Sequence, residues 1–281
     1  SGKAAQSVSL YQGLKTAMGS NGTVVYAKGS DLVADSTLEV KLNGMMGFVF
    51  QGMKPSKVHD RNPVVLLREA LETAQDADVI VVALGENANM NGEGASRSNP
   101  VIPEPQTELL RSLVATGKPV VLVLFTGRPL ILSWEEKHVP AILNAWFPGS
   151  EAGSAIADIL FGEVNPSGKL TTTFPRNVGQ IPLYYNHKNT GRPHGDNEPY
   201  ARFRSNYIDV LNSPLYPFGY GLSYTTFKYG EISLSATEMP MNGKVSAKVT
   251  VTNTGQRDGK EVMQLYMRDV MGSSTRAKGT P

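Results

Sequence analysis

Short apolar runs and helical patterns alternate along the first 176 residues. The apolar runs cover residues 23–26, 79–84, 120–125 and 141–146. They lack the polar/apolar alternation of a half-exposed strand, so they predict buried parallel strands. Apolar residues recur at helical spacing over 64–74, 109–114 and 152–161. This alternation predicts an α/β domain over residues 1–176, with a doubly wound, mainly parallel sheet covered by helices on both faces.

The rest of the chain shows two other patterns. Residues 177–222 are rich in Pro, Gly, Asn and Tyr, and they predict a long irregular connection that packs over another surface. Polar and apolar residues then alternate, most clearly over 244–251 and again over 262–266, which predicts antiparallel strands. Residues 223–281 number only 59, whereas a complete β-sandwich needs roughly 100. We therefore expect a partial sandwich with an open sheet edge.

Composition excludes several classes of protein. The net charge of the 281 residues is +2, too small for a nucleic-acid or membrane-surface binder. The absence of cysteine excludes disulfide scaffolds, thiolate nucleophiles and cysteine-ligated zinc. The longest apolar runs are far too short to span a bilayer, and the first six residues contain no apolar signal region. The protein is therefore expected to be cytoplasmic, or to have lost a signal upstream.

The polar segment 85–99 follows the predicted strand 79–84 and contains the candidate chemistry. Ligands of parallel sheets bind beyond the carboxyl ends of the strands, and a mobile loop there could carry the carboxylate of a general acid. Glu93, between two glycines at the tip, is the freer carboxylate. Glu86 directly follows the strand and is expected to be a structural hydrogen-bond or cap partner. Arg97 is expected to hold the loop; pairing with a substrate carboxylate is the alternative. The pattern alone also fits a solvated surface loop.

Other possible sites fail on spacing or context. Residues 162–170 resemble a phosphate-binding loop, but they have the wrong glycine spacing and Leu170 in place of Ser or Thr, which disfavours a flavodoxin-like nucleotide binder. The four histidines show no metal-ligand spacing, so no metal or other cofactor is expected. Neither Ser96 nor Ser150 lies in the Gly-x-Ser-x-Gly elbow of a nucleophilic serine.

Many short motifs resemble, in order, the C-terminal part of glycoside hydrolase family 3 β-glucosidases, especially the bacterial periplasmic type. They run through nearly the whole chain, and the residues from about Ser274 match less well. The motifs are the 92–97 segment, Gly117-Lys118-Pro119-Val120, Gly127-Arg128-Pro129, Trp146-Phe147-Pro148-Gly149 with Glu151 and Gly153, Asn165-Pro166-Ser167-Gly168-Lys169-Leu170, Phe174-Pro175-Arg176, Tyr216-Pro217-Phe218-Gly219-Tyr220-Gly221-Leu222-Ser223-Tyr224 and Val251-Thr252-Asn253-Thr254-Gly255.

The resemblance implies three domains: an N-terminal barrel, an α/β sandwich and a fibronectin-III-like module. This chain would hold the sandwich (1–176), the connection (177–222) and the start of the module (223–281). In the family, the barrel supplies an aspartate nucleophile and the sandwich supplies the general acid/base from a loop. Glu93 occupies the matching place, and Glu86 is the reserve candidate. The resemblance also implies a periplasmic or secreted location, a β-glucoside or oligosaccharide substrate, the barrel as partner, and no nucleic-acid or membrane partner; a homo-oligomer is possible.

The implied reaction is a retaining hydrolysis in which two carboxyl groups lie about 5–5.5 Å apart. Without a barrel the chain is expected to be inactive. Two alternatives stay open at this point. One is a non-catalytic module that only packs against other proteins, and the other is a family 3 enzyme of different specificity, such as a β-xylosidase or an N-acetylglucosaminidase.

Overall fold

A three-stranded parallel sheet forms the centre of the N-terminal part. The computed structural model describes residues 7–35, 37–38, 42, 62–188 and 190–267. Strands β1 (Ile80–Gly85), β2 (Val120–Phe125) and β3 (Ala141–Asn144) lie in the order β1-β2-β3 and are all parallel. Three of the four predicted strands form, and the α/β fold is confirmed. The predicted burial holds for β2, whereas β1 exposes Ala83 and every residue of β3 is intermediate or exposed.

Helices connect and flank these strands, and the predicted helical patterns are confirmed. The helix Pro63–Gln75 begins where the side chain of Asn62 accepts a hydrogen bond from the backbone N–H of Val64 at 2.9 Å. This bond satisfies one of the free donors of the first turn. No helix in the described part of the chain is long and apolar enough to cross a membrane. The helices are α1 (Leu10–Met18), α2 (Pro63–Gln75), α3 (Glu104–Val114), α4 (Glu135–His138) and α5 (Ala152–Leu160), with 3-10 turns at Ala88–Met90 and Val178–Gln180.

The predicted strand at 23–26 is wrong. This segment forms no strand ladder, and Val25 and Tyr26 are 59% and 70% exposed. A run of β-branched and aromatic residues favours extended backbone, but a strand also needs a hydrogen-bonding partner. The run has no such partner among the described residues, because β1 pairs only with β2.

The hydrophobic core lies between the sheet and helices α2 and α3. Leu66 of α2, Leu110 of α3 and Leu122 of β2 are fully buried. Phe174 extends this core beyond the sheet, since it is 1% exposed and its ring centroid lies 5.9 Å from that of Trp146. The core thus reaches the segment where the irregular connection begins.

Helices α1 and α5 touch through their backbones at two glycines. A Cβ atom on Gly13 would lie 2.0 Å from the carbonyl oxygen of Gly153, and one on Gly153 would lie 2.0 Å from that of Ser9. The N–H of Gly153 also donates to the carbonyl of Val8 at 3.0 Å. This contact gives Gly153 a packing role, since neither glycine position has room for a side chain.

The connection over 177–222 packs back onto the segment that leads into it. The N–H of Leu170 donates to the carbonyl of Tyr220 at 2.8 Å, and the N–H of Gly219 donates to the carbonyl of Leu170 at 2.7 Å. Asp196 secures the returning chain by accepting from the backbone N–H groups of Asn212 and Ser213 at 2.8 and 3.1 Å. These bonds order a segment that has little secondary structure.

Two short antiparallel ladders follow. They confirm antiparallel strands after residue 223, although the strands are shorter than the alternation over 244–251 predicts. The predicted strand over 262–266 does not form, since alternation supplies a face to bury but not a neighbouring strand. The ladders join β4 (Phe227–Tyr229) to β7 (Val251–Asn253), and β5 (Ser233–Leu234) to β6 (Ala247–Lys248).

Candidate active site

The candidate loop begins after Gly85, the last residue of β1, at a position that only glycine can occupy. Gly85 has φ +134°, and a Cβ atom there would lie 1.8 Å from the carbonyl oxygen of Phe125. The buried side chain of Gln106 holds this residue on both sides: it accepts from the Gly85 N–H at 2.7 Å and donates to the Gly85 carbonyl at 2.9 Å. The start of the loop is therefore fixed to β2 and to helix α3.

Glu86, the first residue of the loop, is a buried anion with four side-chain partners. The residue is 4% exposed. Its Oε1 accepts from Arg97 at 2.8 Å and lies 3.2 Å from Nε of Arg128. Its Oε2 accepts from Nδ2 of Asn91 and from the hydroxyl of Thr126, both at 2.8 Å. Two cations and two neutral donors thus compensate for the burial of this carboxylate.

The same contacts set the ionisation of Glu86. Burial acting alone would raise its pKa. The hydrogen bonds from Arg97, Asn91 and Thr126 and the charge of Arg128 outweigh burial, so the pKa of Glu86 lies below its ordinary value. Glu86 is therefore a stable carboxylate at neutral pH and is unsuited to donate a proton. The prediction that it is a structural partner is confirmed.

Arg128, at the end of β2, joins the two sides of the loop. Its Nε donates to Oδ1 of Asn91 at 3.2 Å, and one terminal nitrogen donates to the backbone carbonyls of Met90 and Ala95, the latter at 2.7 Å. Met90 and Asn91 precede the loop tip, and Ala95 follows it. A single guanidinium thus holds the residues on both sides of the tip, and it links them to the segment that follows β2.

Glu93 lies on the tip, between Asn91 and Ala95, and is exposed. Its neighbours Gly92 and Gly94 have φ +109° and +72°, values that favour glycine. The N–H of Ala95 closes the turn by donating to the carbonyl of Gly92 at 3.2 Å. In the part of the chain that the structure describes, no hydrogen bond or ion pair involves the Glu93 carboxylate. It is available to a molecule that approaches from outside.

The loop differs from its prediction in one respect: it was expected to be mobile, but its base is tightly held. Arg97 holds it through its ion pair with Glu86, as expected. Sequence reasoning missed Asn91, Thr126 and Arg128 as partners. Arg128 was visible only as part of a Gly-Arg-Pro motif, and nothing in the sequence linked it to a loop more than 30 residues earlier.

Neither of two surface hollows in the described part of the chain coincides with the loop tip. These hollows, of about 350 and 340 Å³, lie elsewhere: one is lined by Tyr26 and Glu72, the other by Lys169 and Tyr266. Neither includes Glu93.

Known proteins resemble the chain in sequence. The profile of the glycosyl hydrolase family 3 C-terminal domain matches residues 1–224. A periplasmic β-glucosidase of Salmonella typhimurium is 47% identical over 98% of this chain and 35% of the relative. A β-xylosidase of Formosa agariphila is 39% identical over 93% of this chain and 31% of the relative. The chain thus spans about a third of the length of these curated relatives.

A solved structure is similar in both sequence and fold. The crystal structure of a Listeria innocua β-glucosidase in complex with isofagomine matches with a TM-score of 0.72 and 34% identity, over 90% of this chain and 31% of that one. Its likeness extends past the sheet into the C-terminal part. With the family profile covering most of the sequence, this chain belongs to glycosyl hydrolase family 3.

Proposed function

We propose that this chain is the C-terminal part of a retaining β-glucosidase and that Glu93 is its general acid/base. The nucleophile and most contacts to the cleaved sugar would come from a barrel, on a preceding segment or a separate chain. One observation carries the proposal. Of the two glutamates in a loop at the carboxyl end of β1, one is buried and ion-paired while the other stands exposed on an anchored tip.

Chemistry assigns different roles to the two glutamates. Glu86 stays ionised because two arginines surround it, so it cannot deliver a proton to a leaving group. Glu93 is held at its backbone while its carboxyl is free, which allows it to enter a cleft on a docking partner. A glutamate that is enclosed in such a cleft, beside another carboxylate, can stay protonated until the bond is cleaved.

The reaction has two steps. The nucleophilic carboxylate attacks the anomeric carbon, the glycosidic C–O bond breaks, and Glu93 gives its proton to the departing oxygen. A water molecule then attacks the anomeric carbon, Glu93 takes a proton from that water, and the bond to the nucleophile breaks. The two carboxyl groups would lie about 5–5.5 Å apart, the separation of retaining enzymes.

The comparisons support a partner and a substrate class. The chain spans only 35% of the Salmonella relative. We propose that the part of that relative which this chain does not match contains the barrel. Terminal β-D-glucosyl residues are the proposed substrate, and a β-xylosyl residue is the second candidate, favoured by the β-xylosidase relative. We also propose a periplasmic or secreted location, because one relative is periplasmic. For the fold, we propose that the parallel sheet is doubly wound and that strands β4 to β7 begin a fibronectin-III-like domain.

The test is the Glu93→Gln variant in the barrel-containing enzyme. For substrates with poor leaving groups we expect kcat/KM to fall about 10²- to 10⁴-fold, the contribution typical of general acid catalysis. Added azide should restore turnover of activated aryl glucosides, because it attacks the glycosyl-enzyme without a general base. Glu163→Gln, which changes another exposed glutamate, is the matched control and should retain activity.

Two results would contradict the proposal. If Glu93→Gln folds and hydrolyses a poor leaving group at the parent rate, Glu93 is not the acid. If this chain turns over an aryl β-glucoside without any barrel, the proposal that the active site is shared between this chain and a barrel is wrong. Rates on matched aryl β-glucosides and β-xylosides decide between the two sugars.

A further inference from the structure

The geometry points to Arg128 as the positioning residue for the general acid/base. This inference rests on the proposed role of Glu93. Among the described residues, Arg128 forms no hydrogen bond or ion pair with Glu93. It acts by fixing the backbone on both sides of the three-residue tip Gly92-Glu93-Gly94.

The contacts of Arg128 suit this task better than those of Arg97. Both arginines pair with Glu86, and their side chains are similarly buried, at 20% and 18% exposure. Among the described residues, Arg97 bonds only to the Glu86 carboxylate. Arg128 bonds in addition to the Asn91 side chain and to the carbonyls of Met90 and Ala95.

The guanidinium shape is essential to this bridge. It presents its N–H donors in a fixed planar fork, so Nε and a terminal nitrogen of Arg128 can hold several acceptors at once. A lysine at 128 keeps the positive charge beside Glu86 but has a single ammonium. That nitrogen cannot lie both at the Nε position, beside Glu86 and Asn91, and at the terminal position beside the carbonyls of Met90 and Ala95. The tip would then lose its fixed direction while the charge balance around Glu86 stays intact.

Gly127 gives independent support, because it lets this contact form. A Cβ atom on Gly127 would lie 2.7 Å from Oδ1 of Asn91 and 2.8 Å from Cε2 of Phe147. The segment after β2 therefore approaches the Asn91 side chain closely, and a Cβ at 127 would have to displace that side chain and the Phe147 ring. A Gly127→Ala substitution should displace the Asn91 side chain and so weaken its hydrogen bond from Arg128.

The kinetic test compares Arg128→Lys with the matched control Arg97→Lys in the barrel-containing enzyme. Both changes keep the charge beside Glu86. For Arg128→Lys we expect kcat/KM on a poor leaving group to fall about 10- to 100-fold, since misplacement by about 1 Å can cost 10²-fold. On 2,4-dinitrophenyl β-glucoside, whose leaving group needs no proton, kcat/KM should change less than about 3-fold. Arg97→Lys should stay within about 3-fold on both.

A second readout needs no barrel. The sequence has no cysteine, so a nitroxide attached to Glu93→Cys reports on the tip alone. We expect its spectrum to show greater mobility when Arg128→Lys is added and little change with Arg97→Lys. Gly127→Ala should act in the same direction as Arg128→Lys.

Equal losses on both substrates, or an unchanged nitroxide spectrum in Arg128→Lys, would overturn the positioning role. Failure of the proposed function is distinguishable, because Glu93→Gln would then leave hydrolysis of the poor leaving group unaffected. Thermal unfolding of each variant identifies those that fail to fold, and Gly127→Ala replaces Arg128→Lys if the latter is one of them.

Discussion

Replacing Glu86 by glutamine should strongly destabilise the α/β part. The change removes the negative charge that compensates Arg97 and Arg128, whose side chains are only 18% and 20% exposed. It also places an amide N–H₂ where one carboxylate oxygen accepts hydrogen bonds. Removing one partner of a buried ion pair costs about 3–5 kcal/mol of unfolding free energy, and we expect that range here. For a chain of this size, the melting temperature should fall by about 6–20 °C.

The effect should depend on pH in a defined direction. The pKa of Glu86 is lower in the folded protein than in the unfolded chain. Its charge therefore stabilises the fold at pH values above the ordinary glutamate pKa of about 4.5, and this stabilisation is lost as pH falls through the lower, folded pKa. The difference between parent and Glu86→Gln should be full at pH 7 and should shrink in acid below about pH 4.5.

Urea unfolding followed by tryptophan fluorescence is a suitable assay, because Trp134 and Trp146 both lie in the α/β part. Glu72→Gln is the matched control. Its ion pair with Arg68 spans 3.7 Å between side chains that are more than 60% exposed, so its loss should cost less than about 1 kcal/mol. A loss below about 1 kcal/mol for Glu86→Gln at pH 7, or one that stays constant in acid, would refute the ionic account of the loop base.

Two further predictions concern packing in the same part. Both polar atoms of the Asn144 side chain are buried without a hydrogen-bond partner among the described residues, so Asn144→Leu should raise the free energy of unfolding by about 1–3 kcal/mol; a lower urea midpoint would contradict this. Gly153→Ala should destabilise by at least about 1–3 kcal/mol, because its Cβ would lie 2.0 Å from the Ser9 carbonyl. The same change at Gly168, where the space is open, should leave the melting temperature unchanged, and equal effects at the two glycines would refute the close helix contact.

The sheet could be predicted from the sequence because its strands are short, mostly apolar segments between helical patterns, although only β2 is buried along most of its length. Such strands form continuous apolar runs, and those at 120–125 and 141–146 stand out from the helical patterns around them. The run at 23–26 is also mostly apolar, yet it forms no strand. Local composition reports a preference for extended backbone, whereas a strand also requires a neighbour that distant parts of the chain supply.

The sequence by itself determined which loop carries the candidate chemistry, since a polar segment with two glutamates directly follows a buried strand. It also favoured Glu93, which lies between glycines, over Glu86. Only the tertiary structure explains why the two carboxylates differ in burial and hydrogen bonding. Arg128 and Thr126, which contact Glu86, come from the segment that follows another strand. Ionisation and loop order depend on charges and donors that are close in space, and a spacing of about 40 residues along the chain does not reveal that proximity.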